Sequence, residues 1–161
     1  MSIRRAESKD IPDIIALLKQ VNLVHHIGRP DLFKLHTKYT SHELEEICRD
    51  DNRPVFVLTD QDDVHVLGYA FCIFKQEKNS HLMTDIRTLY IDDLCVDEKS
   101  RGQHIGTQLY EFVLDFARQS GCYNVTLNVW TCNEPAMKFY EKVGMKPQKI
   151  GMETILDNHK R

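Results

Sequence analysis

Apolar residues recur along this chain at two different periods, and the switch between them marks out the secondary structure. Ile11, Ile14, Ile15 and Leu18 fall at helical spacing, which puts their side chains on one face. Ser8 or Asp10 can cap that helix, and Pro12 is tolerated in its first turn. Thr40 and Glu43 have capping-box spacing ahead of Leu44, Ile47 and Cys48, which predicts a second, short helix. Residues 24–40 between the two read as irregular. Val, Ile, Leu, Phe and Tyr then dominate 54–59, 64–75 and 84–96, with polar turns at 60–63 and 77–80, the pattern of three antiparallel strands. Ile105, Leu109, Phe112, Val113 and Phe116 form the apolar face of a third helix that Gly121 ends. A strand over 123–129, a helix over 135–143 stopped by Gly144, and strand-like residues over 145–156 complete the chain. A meander that passes into a strand, helix, strand unit predicts an α/β fold with a mixed, mostly antiparallel central sheet and helices on both faces.

Composition narrows the class without naming it. At 161 residues the chain fits one domain spanning 1–161, since no repeat, low-complexity tract or Gly/Ser linker interrupts it. Hydrophobic residues at 42% and charged residues at 28% are ordinary for a soluble globular protein. No apolar run is long enough to cross a bilayer and no basic-then-apolar leader is present, so a cytoplasmic protein with no membrane partner is expected. A net charge of −3 gives no electrostatic case for nucleic acid. The five cysteines, Cys48, Cys72, Cys95, Cys122 and Cys132, show neither C-x-x-C spacing nor a paired framework and read as reduced thiols. Cys72 and Cys95, inside strand-like runs, suit the role of small buried hydrophobes. His25 and His26 are adjacent, point apart on an extended chain and have no partner at metal-ligand spacing, so no metal site is expected.

The chemistry concentrates after residue 94. In Leu94-Cys95-Val96-Asp97-Glu98-Lys99-Ser100-Arg101-Gly102-Gln103-His104-Ile105-Gly106-Thr107 a strand breaks into a basic, glycine-containing turn that opens a helix. The first N–H groups of a helix have no intrahelical acceptor and carry partial positive charge, so they can hold an anion such as phosphate, and Arg101 adds a full charge. The nucleotide-triphosphate pattern G-x-x-x-x-G-K-[ST] and the dinucleotide pattern G-x-G-x-x-G are both absent. A turn that merely caps a helix is the plainer reading of the same residues.

Arg101-Gly102-Gln103-His104-Ile105-Gly106 resembles the acyl-CoA loop of the GNAT N-acetyltransferase superfamily, Gln/Arg-x-x-Gly-x-Gly/Ala between strand and helix. His104 stands where that pattern has glycine; a positive φ there would cost on the order of 1–3 kcal/mol, although His is among the residues that tolerate it. Asn133-Glu134-Pro135-Ala136-Met137-Lys138-Phe139-Tyr140-Glu141-Lys142-Val143-Gly144-Met145 resembles the superfamily's downstream signature, Asn-x-x-Ala-x-x-Phe-Tyr-x-x-x-Gly-Phe, with Met145 for the last aromatic. The resemblance spans 89–145 and implies a GNAT-like acyl-CoA N-acyltransferase fold, with acetyl-CoA as acetyl donor and a primary amine, on a small molecule or a protein, as acceptor. Attack would occur directly in a ternary complex. Many relatives dimerise, which makes a homodimer an expectation of the same kind. A non-catalytic acyl-CoA-binding or regulatory module of the same fold is the alternative.

Residue by residue, the resemblance places Leu94, Cys95 and Val96 beside the pantetheine arm, with a backbone N–H near Val96 polarising the thioester carbonyl. Residues Arg101, Gly102, Gln103, His104, Ile105, Gly106 and Thr107 would surround the pyrophosphate, with Asn133, Ala136 and Tyr140 also near the cofactor. Tyr140 is the candidate general acid, since a phenol is protonated at neutral pH and can donate to a thiolate; packing beside Phe139 is its plain structural role. Asn133 can equally cap a helix. The run 89–96 resembles a strand of polyamine acetyltransferases and sets Asp92 as the candidate base, working through water. Strict alternation would send Asp92 and Asp93 to opposite faces, and solvated or ion-paired acids are the bland reading of both. His25, His26, Arg29, Asp92 and Asp93 are candidate substrate contacts, with Arg29 and Asp31 admitting an anionic or zwitterionic acceptor.

Overall fold

The computed structural model describes residues 1–157. Five strands, β1 (Ser2–Arg5), β2 (Val55–Thr59), β3 (Val66–Gln76), β4 (Arg87–Val96) and β5 (Asn124–Leu127), form one sheet in chain order. The first four are antiparallel neighbours and β5 joins β4 in parallel. Helices α1 (Ile11–Gly28) and α2 (Ser41–Cys48) cover one face, while α3 (Ile105–Gln119) and α4 (Glu134–Lys142) cover the other. The expected mixed, mostly antiparallel sheet between two helical layers is therefore present.

Two apolar clusters, one per face, hold the layers together. On the α1/α2 side Ile14, Leu17, Leu18, Leu44 and Ile47 pack on Val55, Val57, Tyr69 and Phe71. On the α3 side Ile105, Leu109, Tyr110 and Val113 pack on Phe56, Leu58, Ala70 and Ile91. β2 is buried along its whole length, which is why its sequence, VFVLT, is almost wholly apolar instead of alternating. Each fully buried aliphatic side chain contributes about 1.5–3 kcal/mol, and the helices are oriented by that burial.

Local signals behave as their chemistry requires. The Thr40 hydroxyl accepts from Glu43 N and the Glu43 carboxylate accepts from Thr40 N, completing the capping box of α2. Gly121 and Gly144 adopt φ of +74° and +98° where α3 and α4 end.

Three parts of the sequence reading are corrected. β1, with Ile3 as its single strongly apolar residue, escapes pattern recognition; it pairs with β2 and sends Arg4 to the buried Asp10 carboxylate at 2.8 and 2.9 Å. Helix α1 continues through residues 24–28, read as irregular, because its last turns project Val24 and Ile27 outward and so lose the apolar period. Residues 145–156, read as strand, pair with no strand among the described residues, and Ile150, Met152 and Leu156 stand 77%, 88% and 71% exposed.

Helix α3 crosses β3 at Gly68, where an added Cβ would lie 3.0 Å from Cys95 O, Ile105 Cγ2 and Leu109 Cδ1. Gly68→Ala is expected to push α3 off the sheet and cost about 1–3 kcal/mol. Thermal denaturation checks this, and an unchanged midpoint would mean that the helix can shift without loss.

Candidate active site

The geometry of the site begins with one extra residue in β4. Phe71 of β3 faces Asp93 and the next residue, Cys72, faces Ile91, so Asp92 has no partner across the ladder. Such a bulge resets alternation. Leu89 and Ile91 before it, and Leu94 and Val96 after it, pack on the α3 side, while Cys95 packs on the α1/α2 side. The expectation that Asp92 and Asp93 point to opposite faces fails for this reason: both carboxylates meet groups on the α1/α2 side.

Their surroundings differ. Asp92, 14% exposed, accepts from the Tyr39 hydroxyl at 2.5 Å and pairs with Lys38 Nζ at 3.0 Å. Asp93 accepts from the hydroxyl of Tyr69, a side chain with no exposed surface, at 2.9 Å. Tyr39 stacks on Phe71 with ring centroids 5.5 Å apart, and Tyr69 meets the same ring edge-on at 4.9 Å. Burial pushes the Asp93 carboxyl up to about 6 against the opposing Tyr69 hydrogen bond and Lys38 charge.

Beyond the bulge the sheet opens. β5 pairs with β4 only from Thr88 to Ile91, so the β5-facing edge of Asp92–Val96 has no strand beside it among the described residues. Leu94 and Val96 are partly buried there, and Cys95 is buried with its thiol pushed up to about 12 by burial. The chain then turns through residues 97–104. Asp97 N donates to Leu67 O at 2.8 Å, the Asp97 carboxylate accepts from Gln20 Nε2, and Ser100 N donates to Asp97 O, so the turn is held from β3 and α1. Arg101, Gly102, Gln103 and His104 are exposed, with Gly102 at φ +85° and His104 at φ +57°.

His104 therefore takes the left-handed conformation that its position requires, and its carbonyl accepts from Gln108 N at 3.0 Å. Among the described residues no side chain caps α3, in contrast to α2 and α4. The N–H groups of Ile105, Gly106 and Thr107 lie ahead of the first intrahelical bond, Gln108 N to His104 O, and Arg101 precedes them in the same turn. Ile105 is buried and anchors the turn; at Gly106 an added Cβ would come within 3.3 Å of Phe139 and 3.6 Å of Val96, so β4, α3 and α4 converge here. An open groove of about 670 Å³ runs from His104 and Thr107 past Tyr110 to Lys142 and Val143.

From α4, Asn133 caps the helix by accepting from Ala136 N at 3.4 Å, which satisfies the structural reading of that residue. Tyr140 packs beside Phe139, ring centroids 5.2 Å apart, and burial, followed by the Asp93 carboxylate, pushes its phenol up. Tyr140 and Asp93 thus belong to one electrostatic neighbourhood. The remaining candidates lie at the end of α1 and just beyond it. His25 packs on Phe33, which meets Trp130 edge-on, and burial followed by the Lys38 charge lowers its pKa. His26 Nδ1 contacts Phe33 O at 2.7 Å, and Arg29 pairs with both Asp31 and Glu153. These three tie the end of α1 to the following segment and the C-terminal tail. Lys38 and Tyr69 escaped the sequence reading, because nothing local marks a loop lysine or a strand tyrosine that meets an acid far along the chain.

Comparison with known proteins agrees with this geometry. The family model described as Acetyltransferase (GNAT) family matches residues 21–145, and the chain belongs to that family. Among curated relatives it is 37% identical over 68 residues to the glucosamine 6-phosphate N-acetyltransferase of Arabidopsis thaliana, covering 42% of this chain and 44% of that one. It is 32% identical over 79 residues to the thialysine N-epsilon-acetyltransferase of Bos taurus, covering 49% and 44%. The matches thus span less than half of these relatives' length. Among solved structures, a mutant of the BH1408 protein from Bacillus halodurans superposes with a TM-score of 0.92 at 29% identity, over 97% of this chain and 99% of that one. An aminoglycoside N-acetyltransferase in complex with CoA shares the fold, with a TM-score of 0.71 at 15% identity over 96% and 98%.

The left-handed His104 generates a prediction. His104→Gly removes the strain of a side chain at φ +57° and is expected to raise stability by about 1 kcal/mol. Thermal denaturation decides it; a fall in the midpoint would show that the imidazole makes a contact outweighing the strain.

Proposed function

We propose that this protein transfers an acetyl group from acetyl-CoA to a primary amine, on a small molecule or a protein, by direct attack in a ternary complex. The observation that carries the reading is the coincidence of an uncapped helix start, the basic turn at Arg101 and the strandless edge of β4 at one opening in the sheet. The names of the relatives support the amine class: glucosamine 6-phosphate, thialysine and, in N-alpha-acetyltransferase 30 of Schizosaccharomyces pombe, an alpha-amino group. Five cysteines without a disulfide framework suit a cytoplasmic setting.

The residues fit an acyl-CoA. The N–H groups of Ile105, Gly106 and Thr107 would take the pyrophosphate with Arg101 beside them, and the backbone edge of Leu94–Val96 suits an extended amide-bearing arm that adds like a strand. Acetyl-CoA would supply an activated acetyl thioester. Around it this chain holds protons at two defined atoms. Tyr140, its phenol pushed up, stays protonated through the neutral range and can donate to a departing thiolate. Asp93, raised to about 6, is ionised at neutral pH yet basic enough to take or relay a proton from an ammonium. Asp92 remains the alternative base, but its carboxylate is already engaged by Lys38 and Tyr39, which favours Asp93.

A homodimer is part of the same proposal. Among the described residues β5 pairs with β4 alone, and residues 146–156 are exposed and lie outside any strand, so two-fold pairing would let each tail cover the other copy's edge. Light scattering should give twice the chain mass, falling to the chain mass for Ile150→Asp combined with Met152→Asp; a monomeric wild type would sink this part.

The test of function is thiol release from acetyl-CoA against a panel of polyamines, amino acids, aminoglycosides and short peptides, with donor binding measured by calorimetry. Turnover confined to one amine class is expected; donor binding with no turnover on any acceptor would favour the regulatory module. On the active amine, Tyr140→Phe should cut kcat well beyond tenfold with donor affinity nearly intact. The rate should fall as pH drops through about 6, where Asp93 gains its proton. Asp93→Asn should abolish that limb, whereas loss of the limb in Asp92→Asn alone would return the base to Asp92.

A further inference from the structure

Among the described residues, Lys38 is the primary amine that the fold delivers to the bulge. Its Nζ lies 3.0 Å from Asp92 Oδ1 and 3.2 Å from the Asp92 carbonyl oxygen, and the side chain stays 42% exposed. The neighbouring Tyr39 holds the same carboxylate and stacks on Phe71, which seats residues 38 and 39 against the sheet. Asp92 is also the residue at which β4 loses its β5 neighbour, so the ammonium of Lys38 stands at the opening of the sheet. Its charge is felt at Asp93, and that of Asp93 at Tyr140. Lys38 and Tyr39 from the α1–α2 connection thus contact Asp92 directly, and Asp93 follows it in the same bulge of β4. Lys38 is the more exposed partner of the pair, so it is the side chain that can swing out to solvent.

We infer that Lys38 is an internal stand-in for the acceptor amine: it occupies the acceptor's ammonium position when the site is empty and becomes acetylated when an acyl thioester is bound without an acceptor. The inference rests on the acetyl-transfer reading and goes beyond it by assigning a modification site. The step balances as an ordinary aminolysis. The Lys38 ammonium loses one proton to Asp93, its nitrogen forms a bond to the acyl carbon, and the carbon–sulfur bond breaks. The sulfur leaves as thiolate and takes the Tyr140 proton. The second nitrogen proton is released to restore Tyr140, leaving a neutral amide at Lys38. An arriving amine must displace Lys38 from Asp92, so the external acceptor and the internal one compete.

The experiment is peptide mass mapping of the full chain after incubation with acetyl-CoA alone, compared with samples containing the best amine from the panel. The expected result is one acetyl group at Lys38, appearing at least tenfold faster than at other exposed lysines such as Lys9 and Lys78. Its rate constant should be independent of protein concentration, as an intramolecular step requires, and the external amine should suppress it. Asp93→Asn and Tyr140→Phe should slow the mark at Lys38 without changing the slow background elsewhere, and Lys38→Arg should show background only. Acetylation of Lys38 at the background rate, or at a rate unaffected by either variant, would overturn the inference while turnover of an external amine left the proposed function standing. Failure of both would remove the functional reading with it.

Discussion

A single unpaired residue in β4 organises the site. Because Asp92 has no partner across from β3, the strand bends, its side-chain alternation resets, and two adjacent carboxylates come to one face instead of being divided between two. Placing two acids together in a half-buried setting is costly unless each has a partner. Here the neighbours divide the cost: Lys38 and Tyr39 neutralise and hydrogen-bond Asp92, and Tyr69 donates to Asp93. The two acids thereby acquire different chemistry from identical side chains.

The same strand also opens the sheet. β5 follows β4 only to Ile91, and the edge left beyond it lies next to a helix start that no side chain caps. An unpaired strand edge and an uncapped helix are each a liability in a finished fold; side by side they are the two features on which the proposed acyl-CoA site rests. The buried Ile105 and the close approach at Gly106 hold the two features in register. His104 meets the demand for a left-handed residue at this junction with a side chain where glycine would serve at no steric cost.

Much of this architecture was legible in the chain. The apolar periods located α2, α3 and the strands β2 through β4, because each of those elements has a core-facing pattern strong enough to read locally, and α4 was read from Pro135 at its start and Gly144 at its end. The glycine-containing turn after Val96 and the Asn133 to Met145 signature were likewise visible, since main-chain anion sites and helix caps depend on neighbours in sequence. β1 was not legible: Ser2–Arg5 has almost no apolar pattern and is held by pairing with β2 and by the Arg4–Asp10 ion pair. The end of α1 was missed because Leu23, Val24 and Ile27 face away from the core.

The sequence by itself determined most of the helices and the strands β2 to β5, and that a basic, glycine-containing turn follows β4, because propensity, capping and hydrophobic period act over a few residues. Only the tertiary structure decided which partners the two acids meet. A bulge arises from how β3 and β4 register against each other, and Asp92 and Asp93 meet Lys38, Tyr39 and Tyr69 across 24 to 54 positions of chain. Such contacts have no local signature; they exist because burying the apolar faces of α1, α2 and the sheet brings those side chains to the same few ångströms.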